Sequence, residues 1–572
     1  MRNPGWLLAL AAWVAAGGAG CVSDKEPVAR GPGIHFDLQA FIDRELAAGK
    51  TTVVVPPGRY RVEPRHGRHL FFKDLHDVEI LADGVEMVCT ETSEALGFEQ
   101  CRHVRMRGLA IDYDPLPFTE GRITALAPDK SWVEFEILDG YPDRRLEERI
   151  EIYDPASGEL RRETTGWQAP FEAAGPHRYR IAKHAGYRFR AERDTEQVGD
   201  ILVTNHASAP GGGSGHAVES ARCAGLRLED IRLFAAGCFG FLEHDCEGST
   251  YLRCRIDRRP PETDYPKRAW PRMRSLNADA FHSVGAVRGP SLIGCTARFQ
   301  GDDCVNIHGQ YDMVLAATGK ELRVMAARGA LSLEPGDPAE FLPYEGARPP
   351  DAVAVKIEPA APETETEIAF AARQRMDEGL HRHFSDGKAR VFTLTLDRAV
   401  ALPAGSLVCS GRRVGNGFVV KDCDFGFNRS RGILIKASRG EVSGNRITGA
   451  WMSAVLVTPE FWWCEAGSSS DVTIRDNVIR RCRGIAIRVE AEGGSGKPLP
   501  DGAHRNIAIL HNTVEDSPWP NIRVTSTEGL MIEGNRLAPV PCGGSGKTAV
   551  VMEQCAGIKG NDAVASPSAG KP

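Results

Sequence analysis

The sequence predicts an all-β protein: a right-handed parallel β-helix, or solenoid, interrupted by two antiparallel β insertions. Three observations carry that reading. LRLEDIRLF, VTIRDNVIRRC, IAILHNTVED and LMIEGNRLAP repeat one unit, an apolar-x-apolar pair, a turn, then another apolar residue. Asn445, Asn477, Asn512 and Asn535 all fall in that turn, at spacings of 32, 35 and 23 residues, so their side chains can stack as a hydrogen-bonded ladder on successive coils. The repeat is broken twice by longer segments that alternate polar with apolar residues, the pattern of an antiparallel sheet with one covered face.

Taken in order, the chain opens with a targeting segment over residues 1–21. Arg2 supplies a positive end, WLLALAAWVAA an apolar stretch too short to cross a bilayer, and Gly18-Ala19-Gly20-Cys21 a small-residue run. It resembles a bacterial lipoprotein signal, which implies lipidation of Cys21, although Gly18 stands where such signals usually carry Leu and plain secretion is the alternative. The expected location is the bacterial cell envelope, with the membrane touched only through that lipid. Residues 22–33 read as a flexible tether. FDLQAFIDRELAAG and TTVVVPPGRYRV, in the span 34–114, read as a capping helix and the first coils, the helix covering strand edges that would otherwise stay unpaired. Residues 115–210, with GRITAL, WVEFEIL and HRYRIA, form the first antiparallel insertion. Coils return over 211–309, a second insertion fills 310–413, and coils again occupy 414–556. A disordered tail is expected over 557–572.

Composition excludes some partners. A net charge of −6 provides no basic field for nucleic acid. The 15 cysteines show no C-x-x-C spacing, so a zinc site is not expected, and Cys223, Cys246, Cys295 and Cys423 sit in repeat contexts as small buried hydrophobes. No cofactor or metal is expected, and the oligomeric state is left open.

The stretch from Met273 to Gly309 carries the chemistry. Asp279 precedes the pair Asp302-Asp303 by 23 residues, close to one coil, and His308 follows on the same strand. Equivalent strands of successive coils stack roughly 4.8 Å apart, so three carboxylates converge and at least one should keep its proton near neutral pH. A protonated acid beside ionised ones is what glycoside hydrolysis requires. Gly-Asp-Asp alone also caps strands; it is Asp279 and His308 that turn it into a candidate site. Adjacent strand residues point to opposite faces, so Asp302 and Asp303 share a pocket only if the turn leaves regular strand geometry, which Gly301 permits. Matching CTARFQGDDCVNIHG with CDFGFNRSRGILIK places Asp303 beside Arg431 and His308 beside Lys436. Those two cations would fix the acids or bind sugar hydroxyls; the alternative is a solvated charge ladder. Glu460, Trp462 and Trp463, in VTPEFWWCEAG, suit stacking on a sugar face, with buried core tryptophans the alternative. His282 fits a subsite or a turn equally.

The Asp, Asp-Asp, His-Gly and Arg…Lys pattern resembles the polygalacturonases of glycoside hydrolase family 28. IDYDPLPFTEGRIT, NADAFHS, GDDCVNIHG and the EFWW region resemble more closely glycoside hydrolase family 110, exo-acting α-1,3-galactosidases, from about residue 35 to 540. That resemblance implies a right-handed β-helix with barrel-like insertions and an inverting, metal-free hydrolysis of galactose-terminated glycans. Its catalytic aspartates carry over to Asp279, Asp302 and Asp303. By analogy with the polygalacturonases, Asp302 is the general acid, and Asp279 and Asp303 share the base role. Inverting enzymes hold acid and base roughly 6.5–9.5 Å apart, so the stacked side chains are expected to splay. The competing readings are a β-helix polysaccharide lyase or polygalacturonase-like hydrolase acting on uronates, and a non-catalytic carbohydrate-binding surface protein.

Overall fold

The computed structural model describes residues 36–561 except 144–145, 163–166, 185–186, 188–193, 207–214, 265–267, 269, 363, 386–387 and 541–547. Cys21, the tether and most of the expected tail lie outside the described residues. The first element is the helix Leu38–Ala47. It starts where Asp37 caps it, the carboxylate accepting from the Ala40 N–H at 3.0 Å. Leu38 and Ile42, one turn apart, enter the same core as the first coils.

From Thr52 the chain winds as a parallel β-helix, each coil adding short strands that pair with their equivalents in the next. One 11-stranded sheet forms one face. The 23-stranded sheet divides into two further parallel ladders, with the two-residue strand Glu465–Ala466 added antiparallel at Gly309 and Gln310. Strands Phe281–Val284, Val305–Gln310 and Ile433–Ile435 lie side by side with Phe281↔Val305↔Ile433 in register. Val305, Ile307, Ile433 and Ile435 fill the core; by alternation Asn306 and His308 face outward.

The asparagines stack as expected. Asn445 Nδ2 donates to Asn477 Oδ1 at 2.9 Å, Asn477 Nδ2 to Asn512 Oδ1 at 2.9 Å, and Asn512 Nδ2 to Asn535 Oδ1 at 3.0 Å. The column continues toward the N-terminus as thiols: Cys423 N–H donates to Asn445 Oδ1, and Cys295 N–H to Cys423 Sγ. All cysteines among the described residues are free, and Cys223, Cys246, Cys295 and Cys423 are buried.

Two insertions interrupt this winding without disturbing its register. The first is a seven-stranded antiparallel sheet whose strands lie between Phe118 and His206. The second is a closed six-stranded barrel from Asp312 to Ser410, carrying the helices Glu365–Ala371 and Glu378–Ser385. Across each insertion the flanking coils stack directly, Val218 on Leu96 and Ile433 on Val305.

Candidate active site

The site forms on the outer face where the coils of Asp279, Asp303 and Arg431 stack. One oxygen each of Asp279, Asp302 and Asp303 lies within 4.8 Å of the others. Asp303 N–H donates to Asp279 Oδ1 at 3.2 Å. Asp303 Oδ1 accepts from the Arg431 N–H at 2.7 Å, and its Oδ2 pairs with the Arg431 guanidinium at 3.1 Å. Asp302 turns the other way and pairs with Arg429 at 2.6 Å. The expected coil register therefore stands, with Asp303 beside Arg431.

One local expectation changes. Gly301 is not in the left-handed region; a Cβ there would meet the Asn277 carbonyl oxygen at 2.6 Å. It serves close approach: the Gly-Asp-Asp turn presses onto the coil that carries Asp279.

Burial sets the protonation. Asp279 is buried, and burial followed by the Asp302 charge raises it well above the usual carboxylate range, against the pull of Arg431. Burial also raises Asp303 well above that range, against the pull of Arg431. Asp279 and Asp303 therefore retain a proton near neutral pH. Asp302 is the outermost, its side chain 19% exposed against 3% for Asp303.

A second layer lies beside them. His282 Nδ1 sits 2.7 Å from Asp279 Oδ2, and its Nε2 3.0 Å from His308 Nε2. Burial pushes His282 down to about 4 and His308 to about 3, so both are neutral. Lys436 is wholly buried, its ammonium 3.0 Å from Glu460, 2.8 Å from Glu465 and 3.1 Å from Asn306 Oδ1. Lys436 therefore holds both acids in place through its charge. Glu460 also lies 3.5 Å from Arg431. Against the cost of its burial, Glu465 is held well below the usual range by His308 and Lys436; with His308 neutral, the ammonium is the cation responsible.

Trp462 and Trp463 are half-buried and meet edge to face at 6.5 Å. Their loop is tied to the second insertion: Asp377 N–H donates to the Trp462 carbonyl at 3.0 Å, and Tyr311 N–H to that of Cys464 at 2.9 Å. The first insertion reaches the site through the fully buried Glu151. Its carboxylate pairs with Arg274 at 2.7 Å and lies 3.3 Å from Arg429, which in turn holds Asp302. Sequence reasoning missed Arg429, Glu151 and Glu465. Glu465 was signalled by a second acid in the loop of Glu460, and Arg429 by a second arginine two residues before Arg431.

Residues 405–537 match the family described as "Right handed beta helix region". The chain is 22% identical to alpha-1,3-galactosidase B of Bacteroides thetaiotaomicron, over 88% of this chain and 84% of that protein. It is 27% identical to alpha-1,3-galactosidase A of Streptomyces avermitilis, over 41% of this chain and 36% of that one. Among solved structures, the family 28 exopolygalacturonase of Yersinia enterocolitica superposes with TM-score 0.40 at 9% identity, covering 89% of this chain and 72% of that one. Along most of its length the chain is thus similar to an alpha-1,3-galactosidase.

Proposed function

We propose that the protein is a glycoside hydrolase that removes terminal α-1,3-linked galactose from glycans by an exo-acting, inverting, metal-independent mechanism. The observation that carries this is the buried aspartate cluster, which keeps a proton beside ionised carboxylates, in a chain similar to alpha-1,3-galactosidases over 88% of its length. Asp302, the outermost acid, takes up the proton that the buried Asp279 and Asp303 retain and delivers it to the leaving oxygen, leaving those two ionised. Asp279 and Asp303 hold the attacking water, with Arg431 fixing Asp303 and Arg429 fixing Asp302. No step is assigned to a metal. Exo action fits a site bounded by both insertions, with the Trp462-Trp463 loop as the sugar platform. Glu460, His282 and His308 complete the wall.

The facing carboxylate oxygens lie within 4.8 Å of one another, so inversion needs Asp302, which turns toward Arg429, to present its proton away from the water, across the roughly 6.5–9.5 Å of inverting pairs. The test of activity is galactose release from a panel of α-linked galactosides. We expect release from α-1,3-linked substrates, lost in Asp302→Asn. No release from any of them, with an unsaturated uronide from uronate polymers instead, would establish the lyase reading.

We also propose export to the cell envelope through lipidation of Cys21. Cys21→Ser is expected to release the protein from membranes; unchanged membrane association would exclude that anchor.

A further inference from the structure

We propose that His282 Nε2, His308 Nε2 and Glu465 Oε1 form a binding site for one divalent transition-metal ion of the zinc type. The donors come from two coils and from the loop strand at Glu465, and all lie within 4.8 Å of one another. Sequence spacing gave no hint of the set, because Glu465 comes 157 positions after His308, most of them in the second insertion.

The hydrogen bonds behind the donors are those a metal site needs. His308 Nδ1 lies 2.6 Å from the Gly309 carbonyl. A carbonyl only accepts, so the ring proton is on Nδ1 and Nε2 presents a lone pair. His282 Nδ1 is backed by the Asp279 carboxyl at 2.7 Å. One imidazole backed by a carboxylate and one by a backbone carbonyl is the usual outer shell of zinc-bound histidines. The two Nε2 atoms face each other at 3.0 Å. At zinc–nitrogen distances of about 2.0–2.1 Å, that gap subtends roughly 90–95° at the ion, and a small opening of the rings reaches tetrahedral geometry.

The third donor is equally fixed. Glu465 Oε2 takes the Lys436 ammonium at 2.8 Å and the Asn306 amide at 3.2 Å, and Oε1 lies 3.8 Å from His308 Nε2. Packing locks the rings: His282 stacks on Phe239 at 4.3 Å and meets His308 edge-on at 4.9 Å. Two histidines and a glutamate are a tetrahedral zinc set with a fourth position for water. An ion here staples the tryptophan loop to the β-helix. The ion would sit in the wall of the proposed active site, behind Asp279, and takes no step in the proposed hydrolysis.

The test uses the whole protein, stripped by chelation and titrated with Co²⁺ and then Zn²⁺. We expect one equivalent bound at micromolar affinity or tighter, a tetrahedral Co²⁺ spectrum without a thiolate charge-transfer band, and a higher melting temperature with Zn²⁺. His308→Ala and the isosteric Glu465→Gln, each checked for folding by circular dichroism, are expected to lose both the binding and the thermal shift. Absence of saturable binding would mean that only a shared proton fills the gap between the Nε2 atoms, and would overturn the proposal. So would a thiolate band, or undiminished binding in Glu465→Gln.

Discussion

Two stacks of side chains climb the same coils, one inside the β-helix and one outside. Inside, Asn445, Asn477, Asn512 and Asn535 are copies of one residue. Each amide oxygen accepts from the previous coil, and Asn477 Nδ2, like its fellows, also donates to a strand carbonyl. Like meets like, every polar atom is satisfied by its neighbour, and the stack holds coils together. Outside, Asp279, Asp303 and Arg431 occupy consecutive coils in the same geometry, but they are unlike and buried, and their needs are met from elsewhere. Repetition serves cohesion. Its deliberate breaking on the outer face, with acids crowded against too few cations, leaves a proton held under strain and ready to move.

Substitutions on the two stacks should separate accordingly. The largest effect is expected outside: Asp279→Asn, Asp302→Asn or Asp303→Asn should each lower kcat by the ~10²–10⁴-fold of lost acid–base catalysis, or more, with the melting curve little changed. Inside, Asn477→Ala removes the acceptor for two donors and orphans others. At about 1–3 kcal/mol per unsatisfied buried group, stability should fall by about 2–4 kcal/mol in denaturant unfolding, with KM of the surviving protein unchanged. An aspartate variant that merely unfolds, or an Asn477 variant that loses turnover while stable, would erase the distinction.

Arg431→Met sharpens the electrostatic half. Removing the guanidinium disfavours the ionised form of Asp303, so its pKa rises. The carboxylate form is then reached only at higher pH, and the acid limb of the kcat/KM profile should move upward. An unchanged limb would show that Arg431 does not set the charge of the cluster. The smallest effect is expected at Trp462→Ala. Loss of a half-buried stacking ring, worth about 1 kcal/mol, should raise KM roughly fivefold and leave kcat unchanged; an unaltered KM would make the ring part of the fold alone.

The same contrast explains what could be read from the sequence. The asparagine column was legible because it repeats with its flanking apolar residues, and the aspartates because they lie within one coil spacing. The Arg431 and Lys436 register followed once the insertion between matching coils was set aside. Glu151 and Glu465 were not legible. Each arrives from an insertion or a loop, and its position depends on how that segment folds back. Lys436 was placed correctly, yet its pairing with Glu460 and Glu465 depends on the loop. Gly301 was singled out for backbone freedom, whereas the packing of the Asn277 carbonyl against it is a contact between coils.

The central claim is that the outer aspartate cluster drives a single displacement at the anomeric carbon, and proton NMR of the first-formed product tests it most directly. With an α-1,3-linked galactoside, the account predicts that β-galactose appears first and mutarotates afterward. α-Galactose appearing first would show a retaining reaction and would contradict the roles given to Asp279, Asp302 and Asp303.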